Sequence, residues 1–406
     1  MMSNKYHTVA LLVTLLMTVL SVGCKREESP SSSPDKYTTY LRFVMSGIKM
    51  PGDSNTRAQG DQLSVNSDHT DREDYVARLA VLVYDATTGE LVKASFVYNS
   101  DFVLGIPLAK GDIKMFHFCF IANFPMSWGN TLLGIKTYEG LKQTLQGIEP
   151  FRSRDRGLEL YDGAGEDYYF PMSRIYENNT VWAAKPTTRE NPQTFQPKSE
   201  GNGSLMPISS YPTKKETSED QATVNLIRTA AKVSIRIIEG AEGVERVVMQ
   251  NIKPVHSYME CSPSNFPEGQ LIRREFKVAD EEAFERGTYQ AQMYIPENIL
   301  GVSGPNLHWD SYKRSPGKGS ICYLTIVMKD GSSYNIPIIS NELLVNDNYF
   351  DIAYGQNRDN IPNFNIIRNH EYQFDITVRP LTSDLDIKVH YVVKPWDVQK
   401  IEIPFE

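Results

Sequence analysis

The chain closes on a strict two-residue alternation. Across its last 23 residues Leu385, Ile387, Val389, Tyr391 and Val393 form an apolar row against Asp384, Asp386, Lys388 and His390. Successive side chains of a strand point to opposite faces, so this row demands a core on one side and water on the other. Pro395 has no N–H for a ladder and interrupts the row just before Trp396, and a second alternation follows in Ile401, Ile403 and Phe405. One strand cannot bury such a face alone, so partner strands are required.

Partner strands are written along the whole chain. Residues 37–45 alternate, with Tyr37, Thr39, Leu41, Phe43 and Met45 on one face and Thr38, Tyr40, Arg42 and Val44 on the other. Further strand patterns fall at 77–85, 91–98, 115–123, 223–239, 289–295, 321–329, 333–339, 371–378 and 385–393. The spacing predicts one short helix within 132–146. No regular alternation of strand and helix appears, so the expected fold is all-β with minor helix: two antiparallel sandwich-like domains in tandem. Residues 184–221 are rich in Lys, Pro, Thr, Ser, Gln and Gly, which puts the boundary near 215 and the domains at 37–215 and 216–406. With 22 Tyr, 17 Phe, 26 Gly and 23 Pro among 406 residues, composition agrees with strands and turns.

The amino terminus is a targeting segment. Lys5 and His7 precede an apolar run from Val9 to Leu20, too short for the ~20 residues that span a bilayer. It ends Leu20-Ser21-Val22-Gly23-Cys24, which resembles a bacterial lipobox; the plainer alternative is an ordinary signal peptide with an accidental cysteine. On the lipobox reading residues 1–23 are removed and Cys24 carries a diacylglycerol and an amide-linked acyl chain such as palmitate, enough for stable anchoring. Lys25, rather than Asp, follows the cysteine and points to the outer membrane. Residues 24–36 then form a polar, Pro/Ser-rich tether.

The remaining chemistry is sparse. A net charge of −8 argues against a nucleic-acid partner. Cys119, Cys261 and Cys322 remain after Cys24; one disulfide among them is allowed and none is implied, and Cys119 and Cys322 lie inside apolar strand patterns as buried small hydrophobes do. His7, His69, His117, His256, His308, His370 and His390 show no ligand spacing, so no metal or cofactor is expected. Gly317-Lys318-Gly319-Ser320 lacks the upstream glycine of a phosphate loop, and no G-x-S-x-G occurs. Acidic groups such as Asp71-Arg72-Glu73-Asp74 read as solvated loop charges, and Asp167-Tyr168-Tyr169-Phe170 as strand-edge packing or, less simply, a glycan platform. An enzyme is not expected.

Several short motifs, in order, resemble the Bacteroidales fimbrillins. The ending, with its alternating strand, Pro395-Trp396 pair and last short strand, is similar to theirs. So are Ile366-Ile367-Arg368-Asn369-His370-Glu371-Tyr372-Gln373-Phe374-Asp375-Ile376, the run from Arg228 to Ile237, and Tyr294-Ile295-Pro296-Glu297-Asn298. Arg57-Ala58, in the polar stretch 51–72, resembles their maturation site. The resemblance implies two transthyretin-like β-sandwich domains and export as an outer-membrane lipoprotein. It further implies cleavage after Arg57 by an arginine-specific protease, loss of the first strand within 37–57, and polymerisation as the groove accepts a neighbour's carboxy-terminal strand. The donor segment would be 384–406, with Leu385, Ile387, Val389, Tyr391, Val393, Trp396, Ile401, Ile403 and Phe405 as its apolar side chains. Partners would be other fimbrial subunits, the lipid-bearing membrane before maturation, the protease, and a host or bacterial surface ligand. Residues 385–405 equally suit a closing hairpin of their own domain. Two alternative functions stand beside this one: a surface glycan-binding lipoprotein, and an uncleaved pilus anchor.

Overall fold

A computed structural model describes residues 37–46, 48, 50, 73–147, 149–151, 169–197, 223–259, 271–276, 289–299, 321–338, 364–379 and 386–395. Cys24, Arg57, Ala58, Cys261, Leu385, Trp396, Ile401, Ile403 and Phe405 lie outside the described residues.

The first part of the chain supplies β1 (Thr38–Ser46), β2 (Leu79–Asp85), β3 (Leu91–Val97), β4 (Asp101–Pro107), β5 (Ile113–Ala122), helices α1 (Gly129–Leu133) and α2 (Tyr138–Gln146), and then β6 (Glu149–Pro150), β7 (Met172–Trp182) and β8 (Gln193–Thr194). Two short strands, β9 (Val224–Asn225) and β10 (Ile227–Arg228), lead into β11 (Ala230–Glu239). After them come β12 (Val244–Ile252), β13 (Val255–His256), β14 (Ile272–Glu275), β15 (Tyr289–Pro296), β16 (Tyr323–Met328), β17 (Ser333–Pro337), β18 (His370–Arg379) and β19 (Asp386–Pro395). The fold is all-β.

Two sheets face each other in the first part. One has the order β4-β1-β8, with β9 also on β1; the other runs β10-β7-β5-β2-β3. Their shared core takes Leu41 and Phe43 from β1, Leu104 and Ile106 from β4, Val81 and Val83 from β2, and Phe116, Phe118 and Phe120 from β5. The outer face of the five-stranded sheet is covered too. Ala80, Leu82, Cys119 and Ile121 pack against Leu141 and Leu145 of α2, and against Tyr258 and Met259 from far along the chain. Covering both faces explains why every residue of β2 is buried and its sequence does not alternate.

The second part repeats the plan with sheets β15-β11-β18-β19 and β14-β12-β16-β17 over one core. Its pairings are antiparallel except β11 with β18, which run parallel; β1 also pairs parallel with β8 and β9. Gly240 ends β11 at φ 78°, and a Cβ there would stand 2.0 Å from the Val378 carbonyl oxygen, so only glycine lets the two chains approach this closely.

Local chemistry adjusts several expected elements. The single helix expected over 132–146 is two, because the chain ends α1 at Gly134 and restarts at Thr137, whose side chain accepts from the Gly140 N–H. The single run 223–239 divides into β9, β10 and β11, which pair with β1, β7 and β15 in turn. Seven strands fall outside the patterns expected from sequence: the long β4, β7 and β12 and the short β6, β8, β13 and β14. β7 is polar and bulged, with Asn178 at φ 50° and its N–H donated to His117 Nδ1 at 3.2 Å. Cys119 and Cys322 are buried free thiols, and burial pushes both above the ordinary thiol range, Cys322 to about 12.

Candidate functional site: the first strand and the junction behind it

β1 is a strand that can be read as a plug. Leu41, Phe43 and Met45 are buried, and Thr39 beside them donates to the Leu108 carbonyl at 2.7 Å. Phe43 is the centre: its ring stacks on Phe102 at 5.2 Å and meets Phe195 at 4.7 Å and Phe118 and Phe120 at 5.8 Å. The opposite face is polar, with Arg42 paired to Asp101 of β4, Nε to Oδ1 at 2.8 Å. Seven residue pairs tie β1 to β4, and Phe195 donates to the Arg42 carbonyl at 2.8 Å from the other side. Burying three large apolar side chains at about 2 kcal/mol each stabilises this arrangement by roughly 6 kcal/mol before ordering costs. The alternation expected for 37–45 holds from Thr39 to Met45, whereas Tyr37, placed in the same row, is exposed.

At Glu73 and Asp74 the structure corrects an expectation. Glu73 and Asp74 are not solvated loop charges. The Glu73 carboxylate accepts from Lys232 Nζ at 2.8 Å and from the Tyr294 hydroxyl. Asp74 pairs with Arg228, whose Nε also donates to the Glu73 carbonyl at 3.1 Å. Burial first, then the Glu73 carboxylate, push the Tyr294 phenol well above its ordinary value, so it stays protonated and donates.

The same junction gathers the motifs that carried the resemblance. Arg228 donates to Asn369 Oδ1 at 3.1 Å, and Asn369 sits at φ 57°. Asn298 and Ile366 exchange backbone hydrogen bonds of 2.9 Å each way. Arg368 pairs with Glu297 at 2.6 Å and donates to the carbonyls of Tyr258 at 3.2 Å and Met259 at 3.4 Å. Tyr258 in turn donates to the Asn123 carbonyl at 2.9 Å, and Met259 N–H to Leu145 at the end of α2. Buried ion pairs therefore bind residues 73–74 to β10 and β11 and join the residues after β15 to those before β18, while hydrogen bonds from Tyr258 and Met259 tie in Asn123 and the end of α2.

Other expected sites fare differently. Tyr169 and Phe170 are buried, Phe170 at 4.6 Å from Tyr294, so they pack and offer no open platform. Of the donor-segment residues, Ile387, Val389, Tyr391 and Val393 fall in β19, which pairs antiparallel with β18 of its own chain at the free edge of the sheet order. His117, His256 and His370 are buried, and burial lowers all three imidazoles, His256 to about 3. Among the described residues no group of three or more His, Cys, Asp or Glu is arranged to hold a metal, and no helix is long and apolar enough to cross a membrane.

Strands throughout, a buried first strand and a locked junction describe an all-β protein of paired sheets. Comparison narrows this further. No family model matches the chain. The minor fimbrium tip subunit Mfa3 of Porphyromonas gingivalis is 26% identical over 407 residues, covering 98% of this chain and 77% of the relative. The solved structure of the tip fimbrial protein Mfa3 from Porphyromonas gingivalis, with a carboxy-terminal truncation, superposes with a TM-score of 0.61 at 22% identity, covering 89% of this chain and 99% of that one. The chain is homologous to this fimbrium tip subunit and shares the fold of its solved structure.

Proposed function

We propose that the chain is a stalk or tip subunit of a cell-surface fimbria that supports adhesion. It is exported as an outer-membrane lipoprotein through Cys24, cut between Arg57 and Ala58 by an arginine-specific protease, and polymerised by donor-strand exchange. Its domains are 37–215 and 216–406, and the donor is the 384–406 segment of a neighbour.

One observation carries the reading. β1 fills the first core with Leu41, Phe43 and Met45, yet it reaches the rest of the chain only through the segment that holds Arg57. Cleavage there frees β1 covalently, while Glu73 and Asp74 stay tied to Lys232 and Arg228. The groove between β4 and β8 then takes another strand with a matching apolar row, and residues 385–393 have one. Homology to a fimbrium tip subunit favours fimbrial assembly over the glycan-binding alternative.

Amino-terminal sequencing of surface-assembled protein tests the maturation step. A terminus at Ala58 is expected. Assembled subunits that still begin at Cys24, with β1 attached, would refute strand removal as the trigger.

A further inference from the structure

We propose that one end of the first sandwich, where Ile113, Met115 and Trp182 gather beside Tyr37, is the face that rests on the phospholipid headgroups while the chain is still lipid-anchored. This rests on the reading that Cys24 is acylated.

Six large hydrophobic residues are exposed among those described, and four of them share this end: Tyr37 (73% exposed), Ile113 (65%), Met115 (46%) and Trp182 (57%). Ile113 and Met115 are two apart on β5 and so share a face, and Trp182 lies directly opposite Ile113 in the β5–β7 register. The turn before β5 is tied to the exit of β7, with Gly111 N–H to the Ala183 carbonyl at 2.8 Å and Ala183 N–H to the Asp112 carbonyl at 3.0 Å. Tyr37 joins the group because its neighbour Thr38 pairs with Pro107, the residue that ends β4 just before that turn.

The patch is the uncovered end of a stripe that is covered elsewhere. Along the outer face of β5, Cys119 and Ile121 lie in the core cluster that α2 roofs, and His117 stacks under Tyr138 at 4.1 Å. Beyond Tyr138 the roof stops, and Met115 and Ile113 are bare. Exposed Lys110 and Lys185 stand at the rim in a chain of net charge −8. Indole and phenol rings beside apolar side chains, with lysine stems that lift their charge outward, are what a membrane–water interface selects.

Chain length names the occupant. Cys24 precedes Tyr37 by thirteen residues, a tether of at most ~45 Å fully extended and on the order of 20 Å as a coil. A lipid inserted at Cys24 therefore holds this end of the sandwich, rather than any other part, next to the headgroups. β1 runs away from that end for nine residues, about 30 Å. The segment carrying Arg57 thus leaves the sandwich on the side facing away from the membrane, where a soluble protease can reach it.

The test uses the mature full chain, from Cys24, in vesicles of three parts phosphatidylethanolamine to one part phosphatidylglycerol, with brominated lipid as a quencher of tryptophan emission. Expected is quenching that falls at least twofold in Trp182→Phe, and equally in Ile113→Ser/Met115→Ser, while both variants stay vesicle-bound through their lipid. Vesicle-bound protein whose quenching is unchanged by Trp182→Phe would overturn the inference and leave the anchor intact. So would Trp182 becoming shielded in detergent simply on raising protein concentration, since a second copy would then be the occupant. A mass without acyl chains on Cys24 would overturn the anchor and this orientation together.

Discussion

Arg368 and Glu297 lie 71 residues apart in sequence and form an ion pair of 2.6 Å with side chains only 2% and 8% exposed. The Arg368 guanidinium also donates to the carbonyls of Tyr258 and Met259, so one buried cation fastens β18, the turn after β15 and the segment packed against α2. Removing either partner strands the other charge without water. Glu297→Ala should therefore destabilise the chain by about 3–5 kcal/mol, whereas Glu297→Leu/Arg368→Met should cost less than either single change. Denaturant unfolding of the three variants decides this.

β1 makes a second, separable prediction. Phe43 touches four other aromatic rings, and Phe43→Ala should cost about 3–5 kcal/mol through lost burial and the cavity left behind. Arg42, on the other face, is half exposed in its pair with Asp101. Arg42→Ala should cost no more than about 1 kcal/mol. Equal losses in the two variants would contradict the assignment of faces in β1.

How much of this was legible depends on where each residue's partners lie. The faces of β1 could be read because Thr39, Leu41, Phe43 and Met45 see one core while Tyr40 and Arg42 see solvent or polar groups. β2 was found as a strand but not as a two-sided one, since its second cover, α2, is more than 50 residues away. β7 was missed because Glu177, Asn178 and Asn179 suit a bulge against His117 rather than a plain ladder. Glu73 and Asp74 were misread for the most physical of reasons: their partners Lys232 and Arg228 stand 159 and 154 residues downstream. The motif residues Arg228, Tyr294, Glu297, Arg368 and Asn369 were picked out, yet nothing in their spacing told that they meet at one junction.

Acid should weaken the fold through its buried histidines. Burial, and then the Arg368 charge, hold the His256 imidazole at about 3 against an ordinary value of 6.5. Phe151 and Tyr258 face the ring, and Lys253, Glu297 and Arg368 line the same small cavity. Because the folded value is depressed, the unfolded chain takes the proton first. The stabilisation is complete above about pH 6.5 and is lost progressively as pH falls towards 3, about 2 kcal/mol of it by pH 5. His117 and His370 are lowered by burial as well and act in the same direction. Asp85 and Asp101, lowered by Lys114 and Arg42, contribute only once pH drops below about 4. The melting temperature should fall between pH 7 and pH 5, and His256→Gln should flatten that fall. An equal pH slope in the variant would exclude His256 as a source.

The carboxy-terminal strand separates assembly from folding. β19 holds one side of the sheet only, its register running from His370 opposite Pro395 to Arg379 opposite Asp386, while β18 keeps β11 on its other flank. An edge strand can leave without opening the core between the two sheets, where Tyr372, Phe374 and Ile376 are buried with residues of β11 and β12. If residues 384–406 are given to a neighbour, their deletion should leave a folded monomer, its melting temperature lowered by a few degrees, that no longer polymerises. Within the full chain Val389→Asp would set an unpaired charge in the neighbour's groove and block polymer formation, and, lying opposite Ile376, it should loosen β19 in the monomer no more than the truncation does. Lys388→Asp, on the polar row, should assemble normally. Melting curves and polymer yield for the three variants separate the alternatives. A truncated chain that unfolds would show that the strand belongs to its own domain, and the strand donor would then have to be sought elsewhere.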